Sequence, residues 1–94
     1  MTEWKYALPN RLGSQLKFSI DNADYSGILS ILQDCYDWIL TNVEEYDEWE
    51  YERDIEDIEF WLDSTLTEDD EEEIDYILSN FYDVCDAYRI WASY

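Results

Sequence analysis

The chain has 94 residues, enough for one small domain with a modest core. It carries 25 acidic residues against 5 basic ones, a net charge of −20, which disfavours direct binding to nucleic acid or to an anionic membrane. Five Trp, nine Tyr and three Phe against two Gly and one Pro supply large core side chains and argue against disorder despite that charge.

The opening MTEWKYALPN has no apolar core of a signal peptide, and no apolar run approaches the roughly 20 residues of a membrane span. A cytoplasmic location is expected. Residues 1–20 hold Lys5, Arg11 and Lys17 against Glu3 alone, and the other 24 acidic residues lie in 21–94. In WKYAL, Trp4, Tyr6 and Leu8 alternate; in QLKFSI, Leu16, Phe18 and Ile20 do the same. PNRLGS between them has turn chemistry, so the pattern predicts a β-hairpin over about 3–20, packed on helices.

From Asp21 the period becomes helical. Tyr25, Ile28, Leu29, Leu32, Cys35, Tyr36 and Ile39 predict a first helix over about 22–42, with Asp21 or Asn22 as N-cap and Asn42 as stop. A second helix is expected over 44–63. A third is expected over 67–92, with Thr65 or Thr67 as N-cap and EDDEEE in its first turns, where carboxylates favour the positive end of the helix dipole. Its apolar face is Ile74, Ile77, Leu78, Phe81, Cys85, Tyr88 and Ala92. The expected fold is α+β, mainly helical: an N-terminal hairpin on three helices in one domain. Cys35 and Cys85 fall on apolar helix faces beside Asp residues and are expected to be reduced, buried and unreactive.

The stretch EEYDEWEYERDIEDIE, residues 44–59, is the densest in charge, with ten acidic positions in sixteen. On a helix turning about 100° per residue, Tyr51, Ile55, Ile58 and Leu62 form a core seam. Glu45, Glu48, Glu52, Glu56, Glu59 and Asp63 form one carboxylate row about a quarter turn away. Asp47, Glu50, Asp54 and Asp57 form a second row on the opposite flank, and Tyr46, Trp49, Arg53 and Phe60 take the side away from the core. One charge per roughly 2.4 Å of helix axis is comparable with about 1.7 Å in duplex DNA. Like charges at i,i+4 each cost a few tenths of a kcal/mol, so such rows fit a surface meant for a cationic partner. On the third helix, Glu68, Glu72, Asp75, Ser79, Asp83 and Asp86 share the polar side. If that helix packs beside the second, the carboxylates merge into one broad patch. Trp49 and Phe60 either contact other elements of the fold or serve as contact anchors inside a charged rim.

Catalysis has no signature here: there is no His, no Gly-rich phosphate loop and no nucleophile elbow. Close carboxylate pairs are inevitable with 25 acids and carry no information. TEDDEEEIDY lacks the alternating ligands and central Gly of an EF-hand loop, so neither a specific metal nor a cofactor is expected.

In size, charge and the carboxylate rows of 44–63 and 68–86, the chain resembles DNA-mimic proteins as a functional class. These are small acidic proteins, many from phages and mobile elements, that occupy the nucleic-acid site of restriction enzymes, CRISPR effectors, a uracil-DNA glycosylase or nucleoid proteins. The class spans unrelated folds, so no functional residue carries over from it. The resemblance implies a non-catalytic inhibitor that covers the nucleic-acid-binding surface of a basic protein such as a bacterial defence nuclease. Glu45, Glu48, Glu52, Glu56 and Glu59 are the main contact candidates. Glu50, Asp54, Asp57, Asp63, Glu68, Asp69, Glu72 and Asp75, with Trp49 and Phe60, follow them. An immunity protein for a nuclease toxin, or an acidic regulatory subunit, remain the alternatives.

Overall fold

The computed structural model describes residues 3–63 and 67–92, with the side chain of Glu68 excepted. In chain order the elements are β1 (Tyr6–Ala7), α1 (Asn10–Asp21), α2 (Tyr25–Asn42), α3 (Glu48–Leu62), a 3-10 turn (Glu68–Asp70), α4 (Glu71–Ala87) and β2 (Ile90–Trp91). Among the described residues none of the helices is long and apolar enough to cross a membrane.

The expected hairpin is replaced by a helix. Leu8, Leu12 and Leu16 recur every four residues, and all three are buried. That spacing is helical, and it outweighs the short alternation of Leu16, Phe18 and Ile20. Phe18 instead points outward, 70% exposed. Pro9 precedes the first helical residue, where its missing N–H costs nothing. Its carbonyl accepts from the Leu12 and Gly13 amides at 3.0 and 3.2 Å. Gly13 is not in a turn but is buried inside α1.

α2 is the central helix. It buries Ile28, Leu29, Leu32, Cys35, Tyr36 and Ile39 and packs against α1, α3 and α4. Its N-cap is Asp24, not Asp21 or Asn22, because α1 continues through Asp21. The Asp24 carboxylate accepts from the Gly27 amide at 3.1 Å. The helix ends at Asn42 as expected, with Val43 in extended backbone.

α3 starts four residues later than expected, at Glu48. Val43 and Tyr46 are both buried, so the chain must turn before a new helix begins. Asp47 caps that helix by accepting from the Glu50 amide at 2.9 Å. Tyr46 therefore faces the core rather than solvent. Its ring stacks on Tyr36 at 6.5 Å and meets Tyr88 edge-on at 5.5 Å.

The last helix is also shorter than expected, at both ends. At its start, residues 68–70 form the 3-10 turn, and the Asp70 carboxylate accepts from the Thr67 amide at 2.9 Å. Thr65, the other expected cap, lies outside the described residues. At its end, α4 stops at Ala87, and Arg89 takes a left-handed conformation with φ of 58°. Ile90–Trp91 then pairs in parallel with Tyr6–Ala7, Tyr6 opposite Ile90 and Ala7 opposite Trp91. The Arg89 carbonyl accepts from the Lys5 and Tyr6 amides at 2.8 and 3.2 Å, and the Trp91 carbonyl from Leu8 at 2.8 Å. These bonds occupy backbone groups that a continued helix would have occupied internally.

Cys35 and Cys85 are free and buried in the shared core of α2 and α4. Burial pushes each thiol up to about 12. Both stay protonated and inert at neutral pH.

Candidate acidic interface

On α3 the buried arc comprises Asp54, Ile55 and Ile58, with Glu50, Tyr51, Trp61 and Leu62 half-buried. It is rotated toward the second carboxylate row relative to the seam expected from the sequence. The two rows consequently have different fates.

The second row is split: Asp54 and Glu50 turn toward α4, whereas Asp47 and Asp57 are exposed. Asp54 is 8% exposed. Its Oδ2 accepts from the Tyr46 hydroxyl at 2.9 Å, and its Oδ1 from Arg53 Nε at 3.3 Å and Asn80 Nδ2 at 3.5 Å. The Asp54 charge, then its hydrogen bond, hold the Arg53 guanidinium above its ordinary value. Burial, then the Asp54 charge, drive the Tyr46 phenol far up. Glu50 accepts from the hydroxyl of Tyr88, the residue that caps the end of α4, and burial followed by that bond pushes Tyr88 up to about 12. Asp54 is thus removed from the contact candidates. It is a buried anchor that ties α3, α4 and the 43–47 loop together, and Glu50 is half-committed to the same seam.

The first row stays outside. Glu48, Glu52, Glu56, Glu59 and Asp63 are all exposed. They follow one side of α3 for about 22 Å, roughly one carboxylate per 5.6 Å. That is the spacing of a single row; the figure of roughly 2.4 Å counted every acid of 44–59, of which Asp54 is buried, Glu50 is half-buried and 44–47 lie outside the helix. Glu45 does not extend the row. It sits in the 43–47 loop, where it accepts from the Tyr6 hydroxyl at 2.9 Å and lies 3.8 Å from Lys5. Its own backbone amide, then Tyr6 and Lys5, lower its carboxyl below the usual range.

The row widens toward α2 rather than α4. The Tyr51 hydroxyl donates to Asp37 of α2, and its ring also lies in the field of Glu59. Burial, then Asp37, push the Tyr51 phenol up. Asp37 is thus an exposed carboxylate at this edge that the sequence did not single out. Its signal was its place three residues before Leu40, just off the buried stripe of α2.

Glu72, Asp75, Ser79, Asp83 and Asp86 are exposed along α4, and Asp69 is exposed in the turn before it. The side chain of Glu68 lies outside the described positions. Because α4 packs against the Asp54 and Glu50 side of α3, these groups lie on the other side of α3 from the first row. Between the two acidic sides runs a groove of about 200 Å³ lined by Arg53, Asp54, Asp57, Tyr76, Ile77 and Asn80.

Trp49 and Phe60 are 67% and 63% exposed. The Arg53 guanidinium lies 5.4 Å from the Trp49 ring centre, and Phe60 meets Trp61 edge-on at 5.2 Å. Tyr76 on α4 is 65% exposed and lines the groove. It was not among the sequence candidates, although it falls outside the 74/77/78/81 stripe. Among the described residues the ion pairs are Lys5–Glu45 and Arg53–Asp54. Neither involves the first row. No three acidic or thiol groups among the described residues gather closely enough to hold a metal ion.

Compared with protein-family models, with curated proteins and with solved structures, the chain matches none.

Proposed function

We propose that this protein is a non-catalytic acidic inhibitor that covers the nucleic-acid-binding surface of a basic protein. A nuclease of bacterial defence, a CRISPR effector or restriction enzyme, is the favoured target. One observation carries the reading: Glu48, Glu52, Glu56, Glu59 and Asp63 stand exposed in a line on a rigid helix, without a cation from their own chain among the described ion pairs. Such a line costs stability through i,i+4 repulsion. A cationic groove would relieve it, each carboxylate taking a Lys or Arg that otherwise holds a phosphate. Asp37 broadens the line, and Trp49 and Phe60 flank it as apolar anchors.

The test is a pull-down from bacterial lysate at low salt, with and without excess duplex DNA or guide RNA, read by mass spectrometry. Capture of a basic nucleic-acid-binding protein that added nucleic acid displaces supports the reading. The Glu52→Lys, Glu56→Lys, Glu59→Lys triple variant should then lose the partner with its helicity intact. Unchanged capture by that variant refutes the proposed surface. Capture that persists in excess nucleic acid points instead to an immunity-type or regulatory contact.

A further inference from the structure

The outer face of α1 differs in charge from the rest of the molecule. The helix carries Arg11 and Lys17 against Asp21, whereas α3 and α4 are crowded with acids. Its exposed stripe is Arg11, Ser14, Phe18 and Asp21, within an arc of about 80°. Phe18 is the most exposed large apolar residue described, and Trp91 beside it is 41% exposed. Shallow grooves flank Phe18. One, of about 630 Å³, is lined by Ser14, Lys17 and Trp91 among others. The other, of about 430 Å³, runs toward α2 past Ser14, Gln15, Gly27 and Ile31. A dry cavity of about 150 Å³ already holds benzene, so either groove has room for a phenyl ring. Gly27 on its wall packs closely under the Asp24 cap: a Cβ there would lie 2.4 Å from Asp24 Oδ2 and 3.0 Å from Ser19 Oγ.

The stripe is self-complementary. Lay two copies of α1 antiparallel, with the two-fold axis at the level of residue 16. Phe18 of each copy then lies over Ser14 of the other, beside the open grooves. Arg11 of each lies over Asp21 of the other, about 7.5 Å either side of the axis. An isologous contact demands this reciprocity, residue i on j and j on i. We infer that α1 is a homodimer interface, with Phe18 as its apolar knob and two Arg11–Asp21 pairs as its rim. Charge selects the occupant. Two bodies of net charge −20 repel each other through most faces, and the α1 face is where that repulsion is least. A two-fold dimer of this kind directs the α3 carboxylate rows of both copies away from the contact. The inference holds whether or not those rows meet a nucleic-acid-binding protein.

The experiment is sedimentation velocity from low to high micromolar concentration in moderate salt. The expected result is a concentration-dependent shift from 11.4 kDa to twice that mass. Phe18→Ser should raise the dissociation constant at least tenfold, as should Arg11→Asp alone. Arg11→Asp combined with Asp21→Arg should restore the dimer. Both charge changes suit the helix dipole, acid near the N-terminus and base near the C-terminus, so α1 should still fold. Circular dichroism of each variant checks this. A wild-type chain that stays at 11.4 kDa throughout overturns the inference. So does failure of the charge swap to restore association, or open-ended growth beyond the dimer.

Discussion

Replacing Tyr46 with Phe isolates the bond that holds the 43–47 loop against α3. The Tyr46 hydroxyl donates to Asp54 Oδ2 at 2.9 Å inside the protein. Phe keeps the ring contacts with Tyr36 and Tyr88 and removes only that donor. Hydrogen bonds to charged groups contribute about 1.5–3 kcal/mol, and here the loss leaves a buried carboxylate with two longer contacts among the described residues. The others come from Arg53 Nε and Asn80 Nδ2 at 3.3 and 3.5 Å. A cost of about 2 kcal/mol is therefore expected. For a domain of this size it corresponds to a fall in Tm of about 10 °C. The assay is urea and thermal unfolding by circular dichroism of the wild type, Tyr46→Phe, Asp54→Asn and the double variant. The double-mutant cycle should give a coupling of about 1.5 kcal/mol between the two residues. A Tyr46→Phe cost below about 0.5 kcal/mol, or additive single effects, would show that Asp54 is not the anchor described above.

Glu52→Lys should stabilise the isolated protein by about 1 kcal/mol at low salt, since it converts repulsion with Glu48 and Glu56 into two i,i+4 attractions. Chemical denaturation at low and high salt measures this, and a loss of stability would mean that Glu52 has a structural role. Under reducing conditions the protein should also weaken at alkaline pH. Cys35 and Cys85 ionise near 9.0 when unfolded but near 12 when folded. Their contribution is therefore complete below pH 9 and is lost as pH rises toward 12, on the order of 3 kcal/mol by pH 10. Unfolding free energies across pH 8–10 should fall for the wild type and fall much less for a Cys35→Ala, Cys85→Ala variant; parallel curves would exclude the thiols as the cause.

The helical core was legible because its apolar residues keep one spacing over many turns. Ile28 to Ile39 and Ile74 to Cys85 leave little doubt about period, and both sets are buried. The N-terminal segment misled because Leu16, Phe18 and Ile20 alternate over a window too short to outweigh Leu8, Leu12 and Leu16. Tyr46 and Asp54 misled for another reason. A helical wheel assumes that the helix exists and that its buried arc is centred on its apolar residues. Tyr46 precedes the helix. Asp54 is drawn inward by partners 8 and 26 residues away in sequence, which no local pattern reports. From Glu48 to Asp63 the first carboxylate row stayed exposed, because its members need only be outside the seam; Glu45 was lost from it because it precedes the helix. The Glu50–Tyr88 bond and the side of α3 that meets α4 depend on tertiary packing and had no sequence signal.

The pairing of Tyr6–Ala7 with Ile90–Trp91 has a mechanical consequence. Because the strands are parallel, the chain enters one at its start and leaves the other at its far end. Tension applied through the flanking chain therefore pulls the two strands past each other along their length. The bonds from Lys5, Tyr6 and Leu8 to Arg89 and Trp91 then bear load together instead of opening in turn. A sheet of two residues per strand becomes a shear clamp across the whole fold, placed where it resists stretching best.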